Sequence, residues 1–229
     1  MSILGWPVEH HDVGSAAAFH QLEVPDPPAP VLWWFDVAWP ALVLGSTQRD
    51  EIVDHEAAAA AGVEVARRRS GGGAVHLVPG AVTWIDVVLP VTDPRWTADV
   101  GRSFDWLGQA WSRVVAELGF PDATAYEGPL LRRPWSELVC FAGLGPGEVT
   151  VGERKVVGIS QRRTRAAARY QCALLHRWDP AALVGLLALD DIDRKIAIRE
   201  LEPLAMGVGD VAPARVVELL RLAVRAPAD

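Results

Sequence analysis

The chain has 229 residues, half of them hydrophobic and 22% charged, with a formal net charge of −7, the balance of a globular protein rather than a disordered one. The acidic excess repels nucleic acid, and no window approaches the ~18 uncharged apolar residues of a membrane helix, so neither is an expected partner. Two cysteines are too few for a disulfide framework or a Cys-rich zinc cage, and the N-terminal Met1-Ser2-Ile3-Leu4-Gly5-Trp6-Pro7 lacks the marks of a secretory signal. The expectation is a cytoplasmic protein with two free thiols.

Ser15 to Leu22 reads as a short capped helix, separated by the proline-rich Pro25 to Pro30 from a strand at Val31 to Val37. A second strand at Leu42 to Gly45 precedes a helix from Ile52 to Ala61, stopped by Gly62. Glu64 to Arg68 reads as a strand running into Ser70-Gly71-Gly72-Gly73, and Ala81 to Leu89 as the next. Ser103 to Leu118 carries Phe104, Leu107, Trp111, Val114, Val115 and Leu118 at the spacing of one helical face. Glu148 to Val151 and Arg154 to Ser160 form a strand-turn-strand, followed by a strand at Arg169 to Leu175 whose alternation puts Cys172 beside Tyr170 and Leu174 as an inert core thiol. Asp179-Pro180 opens a helix to Leu189, and further helices fit Arg194 to Leu201 and Pro213 to Val224. No βαβ repeat organises these elements. The expected fold class is α+β, one catalytic domain over 1–229 with a mixed or antiparallel sheet flanked by helices. Within it, 1–29 is an N-terminal segment, 30–190 the core and 191–229 a helical tail, with no separate accessory domain.

The densest chemistry lies in Arg67-Arg68-Arg69-Ser70-Gly71-Gly72-Gly73-Ala74-Val75-His76. Three glycines let backbone N–H groups approach an anion without side-chain interference, and the arginines offer forked donors. Neither a P-loop nor a dinucleotide fingerprint fits, and a plain glycine turn with solvated arginines explains the segment equally well. A second segment, Gly152-Glu153-Arg154-Lys155-Val156-Val157-Gly158-Ile159-Ser160-Gln161-Arg162-Arg163, places a lysine on a strand among apolar neighbours. Lys155 is one of only two lysines among 22 basic residues. An idle surface position would have been served by arginine, so a point charge aimed at a carboxylate, phosphate or oxyanion is the stronger reading.

Together, the Arg-Arg-Xaa-Ser-Gly-Gly-Gly-Ala-Val block and the later Gly-Xaa-Arg-Lys-Val-Xaa-Gly-Xaa-Xaa-Gln-Arg-Arg block resemble the lipoate-protein ligase family, which shares its catalytic fold with biotin-protein ligases and octanoyltransferases. Gly45-Ser46-Thr47-Gln48 resembles a turn of the same family. The resemblance implies that Arg69, Ser70, Gly71, Gly72, Gly73 and Ala74 wrap an acyl-adenylate. It implies that Lys155 contacts the acyl carbonyl and phosphate, with Gly158 and Gln161 in the same motif. His76 falls one position away from the family's histidine and stays outside the catalytic set, and the N-terminal helix has Ala18, Phe19 and His20 where an acidic residue is usual. Cys140, in Val139-Cys140-Phe141, stands where one branch of octanoyltransferases carries a nucleophile. A thiol near Lys155 and the arginines would have its thiolate favoured, whereas a small buried residue before a glycine-rich loop is the plainer account.

The first expectation is therefore an ATP-dependent ligase, with Mg implied by the ATP, that joins lipoic or octanoic acid to a lysine of a lipoyl carrier domain of the 2-oxoacid dehydrogenase or glycine cleavage H type. The alternatives are a Cys140-dependent octanoyltransferase fed by octanoyl-acyl carrier protein, and a non-catalytic acyl or nucleotide binder. Burying about six methylenes contributes about 5 kcal/mol, so apolar walls suffice to hold the tail. Trp33, Trp34 or Trp84 are candidates for them. No metal-ligand motif stands out: His10-His11 and Asp54-His55-Glu56 lack zinc spacing, and Gly207-Val208-Gly209 is a lone glycine pattern.

Overall fold

Successive side chains of a strand face opposite sides, and here both sides of the long strands are apolar, so the sheet must be covered on both faces. A computed structural model describes residues 6–12 and 14–225; residues 1–5, on which most of the signal-peptide reading rests, and 226–229 of the helical tail lie outside it. In chain order the elements are β1 (Val8–His11), α1 (Ala16–Gln21), β2 (Val31–Phe35), β3 (Ala41–Leu44), α2 (His55–Ala60), β4 (Glu64–Arg67), β5 (Val75–Leu77) and β6 (Val82–Pro90). There follow α3 (Asp105–Glu117), β7 (Ala123–Ala125), β8 (Val149–Val151), β9 (Arg154–Arg163), β10 (Ala167–Leu175), α4 (Pro180–Val184), α5 (Asp191–Leu201) and α6 (Pro213–Ala223). This is an α+β domain, as expected.

A seven-stranded sheet runs β1-β2-β6-β10-β9-β8-β7 and a three-stranded sheet β4-β3-β5. The large sheet is antiparallel apart from β1 against β2, and in the small one β3 is parallel to β4 and antiparallel to β5. On one face of the large sheet Leu32, Ile85, Val87 and Leu174 pack on Leu107, Trp111 and Val114 of α3 and Val216 and Leu220 of α6. The opposite face, through Trp33, Phe35, Trp84 and Leu175, meets α1 and the inner side of the small sheet at Val43, Val75 and Leu77. The outer side of the small sheet, Leu42 and Leu44, packs on α4 and α5 through Leu183, Val184, Ala197 and Leu201. Cys172 is fully buried on the face of Tyr170 and Leu174, and burial pushes its thiol pKa up.

Ser15 caps α1 by accepting from Ala18 N at 3.2 Å, and the Glu64 carboxylate on β4 takes the backbone N–H of Ala16 and Ala17 at 2.9 and 3.0 Å, tying that helix to the small sheet. Several expected boundaries move. The helix placed at Ile52 starts at His55, because Asp54 accepts from Ala57 N at 3.0 Å and is the cap. The helix expected to reach Leu189 stops at Val184: Gly185 ends it, and the chain turns so that Leu187 bridges Val53. Strand β9 continues past Ser160 to Arg163 because β10 pairs with it that far. Strands β1, β5 and β7 are three or four residues long, too short to carry a periodicity of their own. Among the described residues no helix is long and apolar enough to cross a membrane.

Close backbone approach positions the glycine loop. A Cβ on Gly45 would lie 1.9 Å from the Gly72 carbonyl oxygen, and one on Gly73 2.5 Å from the Val139 carbonyl carbon, whereas a Cβ on Gly71 meets nothing within 4 Å. Gly45→Ala and Gly73→Ala should each cost about 1–3 kcal/mol or more, while Gly71→Ala should change stability by less than about 0.5 kcal/mol. Urea unfolding of the three variants measures the contrast, and equal losses at all three would refute it.

Candidate active site

Strand β4 buries Ala66, and Arg68, the residue just past its end, is buried as well. Arg68 is 1% exposed, and its guanidinium donates to the carbonyls of Val43 at 3.2 Å, Gly71 at 2.8 Å and Gly73 at 2.9 Å. It thus fixes the glycine loop from beneath. Arg67 donates to the carbonyls of Gly45 and Gln48, and the Gln48 amide accepts from Gly45 N at 2.9 Å and donates to the carbonyls of Glu137 and Leu138 at 2.8 and 3.0 Å. Ala74 N donates to Leu138 O and Cys140 N to Ala74 O, at 2.7 and 3.0 Å. These bonds bring the glycine loop, the Gly45–Gln48 turn and the Cys140 segment edge to edge.

The three bound a cleft of about 690 Å³ lined by Gln48, Gly71–Gly73, Cys140, Glu148, Lys155 and Gln161, with apolar wall at Ile52, Phe104, Leu130, Leu138 and Ile159. Of the sequence-predicted residues, the triglycine, Cys140, Lys155 and Gln161 meet here. Gly158 lies beside them: a Cβ on it would be 3.4 Å from Lys155 Cε and 3.6 Å from Cys140 Sγ, so thiol and lysine stem flank one point. Ser70 sits beneath, its hydroxyl 2.7 Å from both Ser160 Oγ and Gln171 Oε1, and Ala74 is buried. Arg69 turns away, paired with Glu23 at 2.5 Å and donating to the Gln21 carbonyl at 3.2 Å. The family-based placement of Arg69 around an adenylate does not match this geometry; Arg68, not Arg69, is the buried one. Trp84 borders the recess behind Cys140, whereas Trp33 packs over Arg169 and Trp34 stacks on His10. His76 lines a different cavity, bounded by Phe141, Trp178 and Leu183.

Lys155 is 2% exposed. Its ammonium donates to Cys140 O at 2.9 Å and Gly143 O at 3.1 Å and pairs with Glu148 Oε2 at 2.6 Å. All three protons are therefore engaged, and the lysine clamps the Cys140–Gly143 turn to β9. Glu148 also accepts from Gly145 N at 2.7 Å and Ile159 N at 3.0 Å. Sequence reading assigned Glu148 only to a strand start; an acidic residue in the glycine loop ahead of a buried lysine was the available signal. Breaking such a buried pair on one side costs about 3–5 kcal/mol.

Beneath the cleft a polar network fills the sheet face. Asp86, fully buried, accepts from Arg169 Nε at 2.5 Å and Trp84 Nε1 at 2.7 Å, and Gln171 bridges Asp86 at 3.3 Å and His20 Nδ1 at 3.1 Å. Burial, then the charges of Arg169 and Arg68, hold the His20 pKa well below its usual value of 6.5. His76 and His176 are lowered as well, both first by burial.

A thiol, an ammonium and a glycine-edged backbone over apolar wall make a cleft suited to an activated acyl group. The same class emerges from relatives. Residues 18–214 match the family model of the lipoyl protein ligase A/B catalytic domain, and the chain belongs to that family. It is 32% identical to an octanoyltransferase LipM of Kyrpidia tusciae, over 92% of this chain and 81% of the relative. With one from Exiguobacterium it shares 28% identity over 79% of this chain and 67% of the relative. Its fold resembles the bi-partite lipoate protein ligase of Thermoplasma acidophilum (TM-score 0.71, 21% identity, 96% of this chain, 81% of that one). A lipoate-protein ligase A bound with ATP is similar as well (TM-score 0.68, 20% identity, 96% and 84%). The protein is an enzyme of the lipoate ligase or octanoyltransferase kind.

An unfolded chain protonates His20 near its usual value, and the folded protein resists until a lower pH, so the stability present above about pH 6.5 is lost as pH falls below it. Each such histidine contributes a slope of up to about 1.4 kcal/mol per pH unit. Urea unfolding between about pH 7 and pH 5 should show wild type losing more stability than His20→Asn, which keeps an acceptor for Gln171. Identical losses would place the titration elsewhere.

Proposed function

We propose that the protein is an octanoyltransferase, moving a medium-chain acyl group from an acyl carrier protein thioester through Cys140 to a lysine of a lipoyl carrier domain. The observation that supports this most is Cys140 itself: its thiol opens on the cleft beside the Lys155 stem, in a chain whose relatives are named octanoyltransferases. This reverses the order expected from the sequence, where the ATP-dependent ligase came first. The ligase reading retains its fold-level likeness to an enzyme bound with ATP. The residues meant for the nucleotide fit it poorly: Arg69 is paired with Glu23 outside the cleft, and the Lys155 ammonium has no uncommitted proton.

In the first half-reaction the Cys140 thiol gives up its proton as its sulfur attacks the donor carbonyl. The tetrahedral intermediate expels the carrier thiolate, which takes up a proton, and the acyl group remains as a thioester on Cys140. In the second, the neutral amine of the acceptor lysine attacks that thioester. An amide forms, the C–S bond breaks, and the amine's proton passes to the departing Cys140 sulfur. Lys155 aligns the nucleophile through the Cys140 carbonyl. The N–H groups of Gly71, Gly72 and Gly73 donate to no acceptor among the described residues and are the cleft's supply of donors for developing negative charge.

Wild type incubated with octanoyl-acyl carrier protein should gain one octanoyl mass, mapped to Cys140, and lose it to an apo lipoyl domain without ATP. Cys140→Ala should lower transfer on the order of 10³-fold or more, with Cys172→Ala as the background that removes stray acylation. Undiminished, ATP-dependent attachment of lipoate by Cys140→Ala would restore the ligase reading.

A further inference from the structure

A cleft draws in a charged ligand only through charge that the protein has not already matched. Among the described residues three cations line the cleft, Arg49, Arg132 and Lys155, together with two carboxylates, Glu137 and Glu148. Each carboxylate is taken: Glu148 pairs with buried Lys155 at 2.6 Å, and Glu137 with Arg132 at 3.3 Å on the exposed rim. Arg49 is left over. It is exposed, and its guanidinium enters no hydrogen bond or ion pair among the described residues. Of its acidic neighbours in the chain, Asp50 is held by His55 at 2.9 Å and Arg67 at 4.0 Å, and Glu51 does not line the cleft. A chain of net charge −7 thus places one unmatched positive charge at the mouth of its cleft. The preceding residue fixes where it stands: Gln48 donates to the carbonyls of Glu137 and Leu138, so Arg49 sits on the rim beside the segment that leads to Cys140.

In the transfer proposed above, on which this inference rests, the acyl group arrives on the phosphopantetheine arm of its carrier. The thioester end of that arm must reach Cys140. Its one ionised group is the phosphodiester at the other end, toward the carrier and so toward the mouth of the cleft. We infer that Arg49 binds this phosphate and thereby selects acyl donors that carry one. A guanidinium suits the task, because its planar fork donates two parallel N–H bonds to phosphate oxygens and stays charged at any working pH. The other two cations of the lining are already matched by carboxylates. Arg49 takes no part in making or breaking bonds; it strengthens the hold on the donor's arm and leaves the chemistry at Cys140 as it is.

Two small donors that differ only in the phosphate, S-octanoyl-phosphopantetheine and S-octanoyl-pantetheine, isolate this contact, with octanoyl-acyl carrier protein as the third donor. Transfer to an apo lipoyl domain is followed by intact mass. Wild type should show a KM about tenfold lower for the phosphorylated small donor at similar kcat, a gap that narrows at high salt. Arg49→Gln should raise KM about tenfold for the phosphorylated donor and for the carrier-borne one, and change that for octanoyl-pantetheine less than about twofold. Arg49→Lys should recover part of the loss. Arg215→Gln, which removes an exposed charge on α6 across the large sheet from the glycine loop, should match wild type with all three donors. Equal KM values for the two small donors in wild type overturn the inference, as does an equal rise for both in Arg49→Gln, or a loss that follows Arg132→Gln instead. No transfer from any of the three donors overturns the octanoyltransferase reading itself, and the inference falls with it.

Discussion

The site depends on one steric constraint: three stretches of backbone from different parts of the chain must touch without side chains between them. Gly45 abuts the Gly72 carbonyl, and Gly73 abuts the backbone of Val139 and Cys140. Only because these positions lack a Cβ can the small sheet, which delivers the glycine loop, lie against the segment that delivers Cys140. The same approach permits the Ala74–Leu138 and Cys140–Ala74 hydrogen bonds, which set the height of the thiol relative to the loop. Specific acyl chemistry needs reacting groups held within fractions of an ångström, and backbone-to-backbone contact is stiffer than any side-chain bridge.

Electrostatics then refine what sterics assemble. Among the described residues of this acidic chain, three buried cations lie near the cleft, and two of them are paired with carboxylates. Such pairs contribute little net stability but strongly penalise the loss of either partner, so they fix geometry more than they add stability. Glu148 illustrates this: one carboxylate takes Lys155, Gly145 N and Ile159 N. It thereby fastens the glycine-rich loop after Ala142 to a stretch of β9 that β8 no longer pairs with.

Much of the site was legible in the sequence because its signals are local. Consecutive glycines, a rare lysine within a strand and a cysteine just before a glycine-rich loop each carry their meaning in a few residues. Partnerships were not legible, because Lys155 and Glu148 meet through a loop, and Arg69 and Glu23 across 46 positions of chain. Three adjacent arginines looked equivalent as donors. They differ in burial: Ala66 on β4 and Arg68 just past its end are buried, whereas Arg67 and Arg69 are not. The short strands β1, β5 and β7 were hidden for a different reason, since their pairing partners rather than their own residues make them strands.

Under the proposed transfer, a thioester donor asks less of the cleft than a free acid would. Free carboxylates must be activated before an amine will take them, which is why a ligase needs a nucleotide and groups to hold its phosphates. A carrier thioester arrives already activated, and passing it to a cysteine keeps that activation until an amine converts it to the more stable amide. The chemical demands on the protein shrink to a nucleophilic sulfur, donors for one oxyanion and an apolar wall for the tail. Cys140, the glycine-loop N–H groups, and the wall of Ile52, Leu138 and Ile159 correspond to those three demands. Under the proposed transfer, Arg69 is then free to fasten the chain after α1 through Glu23 and the Gln21 carbonyl.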